Sequence, residues 1–447
     1  MSLKINSLLY LLFSFAFISV LGKSLNLPFW GTHANKIDFL ILIFFLAISI
    51  PFIYKLKQSS SVKRVTWPFI AYLLISFVSS FRELSLFSVG QALLNLKFPL
   101  MIVFVYMLDF EKFNLASFQK LLMRMMAVNL LFIALEILFP NIHKSIFNGA
   151  ISDTIIQGTN LVRFTGYFVH PAAMGVFSSV CLLWGAAYLI SGYNNRHSYL
   201  LVLFSLTSLL FSGQRLELAA CIMIVSWVLI VKYTNPMFVR TVFIAAVLWG
   251  GVTMVVQMNS VNDFSNQLID EGHARVVLYA GSISLANEYF PLGSGLGTFG
   301  SSMSLSNKNS MYHHLGISDY WWFEGASYLT DTHWAMIVGE SGYFGMLAYL
   351  AFLIVQFKIC YRNYRQLSDY NYVPILGCML VCFGFVSSLA TPIYAGTLLP
   401  ILCISLVVAA NLKLSDSIVA TTNTRVFQLS KTKSYHSQGK FNVAHKT

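Results

Sequence analysis

Trp321–Gly345, WWFEGASYLTDTHWAMIVGESGYFG, carries the chain from a polar, aromatic stretch into an apolar run that continues to Phe357. Between His333 and Phe357 the only charged side chain is Glu340. The run is continuous, not alternating, and as a helix rising about 1.5 Å per residue it is long enough to cross a hydrocarbon core of about 30 Å. Lipid offers no hydrogen-bond partners, so such a run takes a form whose backbone pairs with itself. The stretch therefore predicts a membrane helix opening at His333, with Glu324, Asp331, Glu340 and a belt of aromatics around its start. Ionisable groups at a membrane boundary are a functional-site hypothesis by default.

The same reading extends over the whole chain. Its 447 residues are 57% hydrophobic and 10% charged, with mean hydropathy +0.68, whereas soluble domains are about 25% charged. The apolar runs predict about twelve transmembrane helices, near 5–22, 37–54, 67–80, 90–108, 120–139, 171–191, 198–212, 216–232, 241–258, 333–357, 373–390 and 394–412. The expected architecture is all-α and polytopic: spans one to nine over 1–258, one large loop over 259–332, spans ten to twelve over 333–412, and a tail over 413–447. That tail is basic and rich in Ser and Thr, and reads as disordered.

Cytoplasmic termini put Lys55, Lys57, Lys63, Arg64, Lys112, Lys120, Arg124, Arg196, Lys232, Arg240, Lys358, Arg362, Arg365 and the tail lysines on one side. The opposite loops hold far fewer basic residues, which is the positive-inside pattern. The net charge of +12 is thus an orientation signal and does not argue for nucleic acid as a partner. No small-x-small cleavage site follows the first apolar run, so it reads as a span and not as a signal peptide. Cys181, Cys221, Cys360, Cys378, Cys382 and Cys403 fall in spans or at a cytoplasmic edge, and the large loop has none. Neither a disulfide framework nor a cysteine zinc site is indicated.

Two external segments, 141–170 and 259–332, are too long for turns, and the second is the candidate for a separate subdomain. Within it His273–Tyr289 lacks proline and predicts a helix that stops at Pro291. The loop sets Arg275 and Lys308 against seven carboxylates, so any anion it handles must meet specific arginines.

His333 follows Thr330, Asp331 and Thr332, residue types that cap helices. The helix dipole disfavours a cation in the first turn, so the imidazole reads as neutral and able to take a proton from a hydroxyl. The blander reading is an interfacial histidine without a task. Asp331 reads first as a helix cap and second as an acid of the site. Glu340 shares a face with His333, about 10 Å further along the axis. It reads either as a carboxylate that holds an arginine or closes a polar cavity, or as half of a structural ion pair; Glu136 carries the same ambiguity.

Arg215, in the short turn Ser212-Gly213-Gln214-Arg215, lies at headgroup depth, where its fork of donors matches phosphate oxygens. The alternative is a snorkelling anchor. Arg275 pairs with a neighbouring carboxylate or meets an incoming phosphate, with Tyr279 one turn along on the same face. Arg163 and His170 bracket the segment before the sixth span and serve either a site or loop packing. Tyr312, Tyr320, Trp321, Trp322, Phe323 and Tyr328 read first as an interfacial belt and second as platforms for sugar rings. Gly295-Leu-Gly-Thr-Phe-Gly300 matches G-x-G-x-x-G, but no strand precedes it, so a dinucleotide site is rejected. His313-His314 lacks metal-ligand spacing, and no metal is expected.

In combination, four segments resemble the O-antigen polymerase and ligase superfamily of bacterial envelope enzymes. They are Arg163-Phe-Thr-Gly-Tyr-Phe with Pro171, Ser212-Gly-Gln-Arg215, Arg275 followed by Pro291-Leu-Gly-Ser-Gly-Leu-Gly-Thr-Phe299, and His333 with Glu340, Gly342 and Gly345. Trp334 departs from the asparagine that follows the histidine in many members. The resemblance covers roughly residues 160–350.

It implies a GT-C-like, inverting, metal-independent glycosyltransferase of the bacterial inner membrane that needs no cofactor. Such an enzyme polymerises undecaprenyl-pyrophosphate-linked oligosaccharide repeats into O-antigen, capsular or exopolysaccharide on the periplasmic face. On this implication His333 activates the acceptor hydroxyl, Arg215 and Arg275 hold the donor diphosphate, and Glu340 and Tyr279 orient them. Arg163, His170, Glu324 and Asp331 add to substrate binding. Membrane lipid, a flippase and a chain-length regulator are the implied partners. The rivals are a ligase moving finished polymer onto lipid A core and a lipid-linked oligosaccharide flippase or transporter. A transporter favours ionisable groups near the bilayer midplane, whereas here they gather at one face.

Overall fold

A computed structural model of the chain describes residues 60–82, 85–96, 115–147, 162–192, 195–233, 273–307, 310–323, 328–366 and 372–394, with Leu21, Ser24, Leu25 and Phe98. Among the described residues the protein is helical, with an isolated β-bridge between Leu25 and Phe147. The helices are α1 (Ser60–Ser80), α2 (Leu86–Asn95), α3 (Leu115–Leu138), α4 (Pro140–Ile146), α5 (Pro171–Ile190), α6 (Arg196–Ser212), α7 (Arg215–Tyr233), α8 (Ala274–Glu288), α9 (Ser302–Asn307), α10 (Ser310–His314), α11 (His333–Gln366) and α12 (Tyr372–Ser387). Ala116–Leu138, Pro171–Ile190 and His333–Arg365 are long and apolar enough to cross a membrane, with 23, 20 and 33 residues. The expected spans near 67–80, 198–212, 216–232 and 373–390 fall on α1, α6, α7 and α12. Those near 5–22, 37–54, 241–258 and 394–412 lie outside the described residues apart from Leu21 and Tyr394, as does most of 90–108, together with 259–272 and the tail.

Helix α5 is the centre of the bundle. It is apolar on every side, which suits only a helix surrounded by others, and it packs against α3, α6, α7 and α12. Its start is fixed by Pro171 in the first turn and by His170, whose Nδ1 accepts from the Ala172 amide at 3.1 Å. Gly213, at φ 63°, closes α6 in the left-handed conformation and turns the chain straight into α7.

Helix α11 is broken at Gly342 (φ 61°, ψ −166°). A break in an apolar bundle strands backbone groups that must find partners within the protein. They find them in the loop 291–300. The carbonyls of Gly339 and Glu340 accept from the amides of Ser294 and Gly295, both at 2.9 Å, and the Phe344 amide donates to the Pro291 carbonyl at 3.5 Å. Ser79 of α1 closes the joint by donating to the carbonyls of Gly293 and Glu340 at 2.9 and 3.1 Å.

The segment 273–332, in its described residues, packs against the bundle through the contact of α8 with α11. Its own small core of Val277, Leu278, Leu285, Phe299, Tyr312 and Trp322 also takes in Ala335 of α11. This corrects the reading of its aromatics. Tyr312, Trp322 and Phe323 are buried packing residues, and only Trp321 (78% exposed) and Tyr328 (41%) of that group stay well exposed.

Gly342 and Gly192 provide matched tests of the joint, because both have positive φ. Alanine at Gly192 meets open space, whereas at Gly342 its methyl runs into the Pro291 carbonyl and the Gly293 amide. Gly192→Ala should cost about 1–3 kcal/mol. Gly342→Ala should lower the thermal stability of the detergent-solubilised protein by clearly more than that.

Candidate functional site

The glycine loop is a carboxylate clamp. Glu340 Oε1 accepts from the amides of Gly297, Thr298 and Phe299 at 2.8, 3.1 and 3.3 Å. The stretch that mimics a dinucleotide motif thus does gather amide donors around an acceptor oxygen, and that oxygen belongs to the protein's own glutamate. Glu340 is buried and its Oε2 has no hydrogen-bond partner. The readings of Glu340 as an arginine holder or half of an ion pair give way to this geometry, because its donors are main-chain amides.

A second buried glutamate does the same for the segment that carries Arg163. Glu136 Oε2 accepts from the amides of Thr165 and Gly166, each at 2.9 Å, and His143 Nε2 bonds the Gly166 carbonyl at 2.7 Å. The Nε of Arg163 is buried without a hydrogen-bond partner. His170, seven residues on, caps α5. Shielding from solvent, then the charges of Arg163 and Arg275, lower its pKa below the ordinary histidine value. Arg163, His170 and Arg275 therefore share one neighbourhood.

Arg275 lies in the first turn of α8, and its guanidinium is 3.6 Å from Asp331, with both side chains partly exposed. Burial raises the Asp331 pKa and Arg275 opposes it. The Asp331 side chain thus meets Arg275, and the helix-cap reading yields to an ion pair. Tyr279, one turn along α8, donates its hydroxyl to the Leu389 carbonyl at 2.8 Å. Burial pushes its phenol up to about 12, with Arg275 pulling the other way, so it remains a donor. Arg215 opens α7 on an exposed position, and Glu324 lies outside the described residues.

His333 starts α11 and is 4% exposed, with neither ring nitrogen hydrogen-bonded. Aromatic rings enclose it: Tyr349 at 5.2 Å, Tyr394 at 5.3 Å and Trp334 at 6.3 Å between centroids. An unpaired imidazole in such a cage keeps its acceptor lone pair unused, and a buried polar group without a partner is costly unless it serves a purpose. Trp334, the departure noted above, donates Nε1 to Ser388 Oγ at 2.8 Å.

Sequence reading missed the turn 387–394 after α12. Ser388 bonds Trp334, the Leu389 carbonyl bonds Tyr279, Thr391 Oγ1 donates to Glu217 Oε1 at 3.2 Å, and Tyr394 lies against His333. Glu217 was missed as well, although a carboxylate in an apolar run two residues from Arg215 was a readable signal. A cavity of about 290 Å³ runs between α7, α11 and α12, lined by Met223, Trp227, Val231, Phe357, Met379 and Val386 among others, and Val386 leads into this turn. Among the described residues no cluster of His, Cys, Asp or Glu has the makings of a metal site, and His314 pairs with Glu288 at 2.9 Å.

No protein-family model matches the chain, and no curated protein matches it either.

Substitutions at two positions test these assignments. Glu340→Leu strands three amides, at about 1–3 kcal/mol for each buried unsatisfied group, and should unfold the loop joint, whereas Glu340→Gln keeps an acceptor oxygen and should retain most of the thermal stability. For His170 the folded pKa lies below its ordinary 6.5, so the folded protein binds the proton more weakly than the unfolded chain. Its stabilisation is complete above the ordinary value and declines as the pH falls below it. Between about pH 7.5 and about pH 5.5 the wild type should therefore lose part of its thermal stability. His170→Asn, which keeps a capping acceptor worth about 1 kcal/mol, should not show that loss at this position.

Proposed function

We propose that the protein is a membrane glycosyltransferase that polymerises undecaprenyl-pyrophosphate-linked oligosaccharide repeats on the periplasmic face of the bacterial inner membrane. The observation that carries this reading is the meeting of Arg163, His170, Arg275 and Asp331 beside the first turn of α11, where His333 keeps an unpaired imidazole. Guanidinium groups at one end of an apolar bundle suit a diphosphate attached to a lipid. The apolar cavity between α7, α11 and α12 offers room for part of a hydrocarbon chain.

In the proposed reaction an acceptor hydroxyl oxygen attacks the anomeric carbon of the donor. Its proton passes to a nitrogen of His333, the bond from anomeric carbon to phosphate oxygen breaks, and the diphosphate leaves with the electron pair. Inversion at the anomeric carbon follows. Arg275 and Arg215 balance the charge that grows on the leaving oxygen, which is the largest kind of contribution a preorganised site makes. Before substrate arrives Arg275 is held by Asp331, and a diphosphate, with more charge and more acceptor oxygens, displaces that carboxylate.

The test is the glycan profile of cells whose only copy is His333→Ala, Arg215→Ala or Arg275→Ala, with membrane levels matched. Single repeat units on the lipid carrier are expected from each. Normal chain length from all three overturns the proposal, and long polymer held on the carrier marks a ligase instead.

A further inference from the structure

Glu217 has no part in the reaction as described, yet it is 1% exposed in the first turn of α7, two residues from Arg215. A buried carboxylate is costly unless paired. The helix dipole at that turn covers part of the cost, and a structural role would end there. Two further observations go beyond it. Thr391 Oγ1 donates to Glu217 Oε1 at 3.2 Å from the turn after α12. Two residues earlier, the Leu389 carbonyl of that turn accepts from Tyr279 at 2.8 Å, one helical turn from Arg275 on α8. The turn therefore joins the helix that begins with Arg215 to the helix that carries Arg275. Arg275 is also close enough to act on Glu217 electrostatically, and Asp331 lies 3.6 Å from its guanidinium.

We propose that Glu217 is a positioning residue which, with Thr391 and the 387–394 turn, fixes Arg275 relative to Arg215 at the separation a diphosphate needs. The inference rests on the reading of Arg275 as a diphosphate ligand. Glu217 does not touch the diphosphate itself. It acts through the guanidinium, which is otherwise half in solvent and, among the described residues, paired with a partly exposed aspartate.

The test is a double-mutant cycle read by binding of inorganic pyrophosphate to the full chain in detergent micelles, measured calorimetrically. Arg275→Ala should weaken binding. Glu217→Gln should weaken it alone, by about tenfold, within the range found for coupled neighbours, and should add nothing in the Arg275→Ala background. Thr391→Val, which leaves the carboxylate in place, should act in the same direction and be equally silent beside Arg275→Ala, so the inference stays testable if Glu217→Gln does not fold. Unchanged or tighter binding by Glu217→Gln, the latter being the effect of simply removing a like charge, overturns the inference and leaves the diphosphate reading standing. Equal weakening in both backgrounds also overturns it. Unchanged binding by Arg275→Ala alone removes the diphosphate reading and this inference with it.

Discussion

The break in α11 at Gly342 is the constraint on which the rest depends. A straight helix there would satisfy its own backbone and need nothing from the loop 291–300. The broken one leaves carbonyls at Gly339 and Glu340 to be met from outside, and the Ser294 and Gly295 amides meet them at 2.9 Å. Glu340 then grips the amides of Gly297, Thr298 and Phe299 in the same loop through one carboxyl oxygen. Three amides on one carboxyl oxygen, beside the two main-chain bonds, fix the loop to α11 along both its main chain and its glutamate. Helix α8 ends just before that loop, which places Arg275, at its other end, against Asp331 at the start of α11.

The candidate site has two depths. Arg275 and Asp331 are partly open to solvent and Arg163 is half-buried, whereas His333 sits behind Trp334, Tyr349 and Tyr394. The turn 387–394 borders both levels, since it bonds Tyr279 on the α8 side and Trp334 on the His333 side. Under the proposed function this arrangement separates the two tasks. A diphosphate is held near the surface, where charge is tolerated, and proton transfer takes place where water is excluded and a neutral base is favoured.

Much of the helical framework was legible because it is local. The apolar runs mark α3, α5 and the start of α11, Gly213 marks the α6–α7 turn, and the stretch before Pro291 marks α8, expected over His273–Tyr289 and found at Ala274–Glu288. What was not legible depends on partners far along the chain. Spacing places Glu340 and His333 on one helix face, but it does not say that a loop more than forty residues earlier will supply the donors for Glu340. Aromatic richness in a membrane-edge loop fits an interfacial belt and a small core equally well, and the burial of Tyr312, Trp322 and Phe323 settles it for the core. Gly342 could be quoted as part of a motif, but a glycine in an apolar helix does not announce a break, since membrane helices tolerate glycine. The link from Thr391 to Glu217 spans 174 positions, and no periodicity encodes it.

Glu136 and Glu340 solve one problem in the same way. Each is a buried carboxylate on a long helix, and each takes consecutive backbone amides from a loop: Thr165 and Gly166 in one case, Gly297 to Phe299 in the other. One loop carries Arg163 and the other follows the helix that holds Arg275 at its far end, so Arg163 stands on a segment pinned through its main chain. Main-chain docking makes no demand on the side chains of the docked loop beyond the glycines its turns require. Those side chains are then free to be chosen for what they bind. A third buried carboxylate, Glu217, differs because its link is to the turn after α12 that also bonds Tyr279 on the helix of Arg275. That difference is why Glu136 and Glu340 are explained by the fold alone, whereas Glu217 calls for an explanation in terms of the arginines beside it.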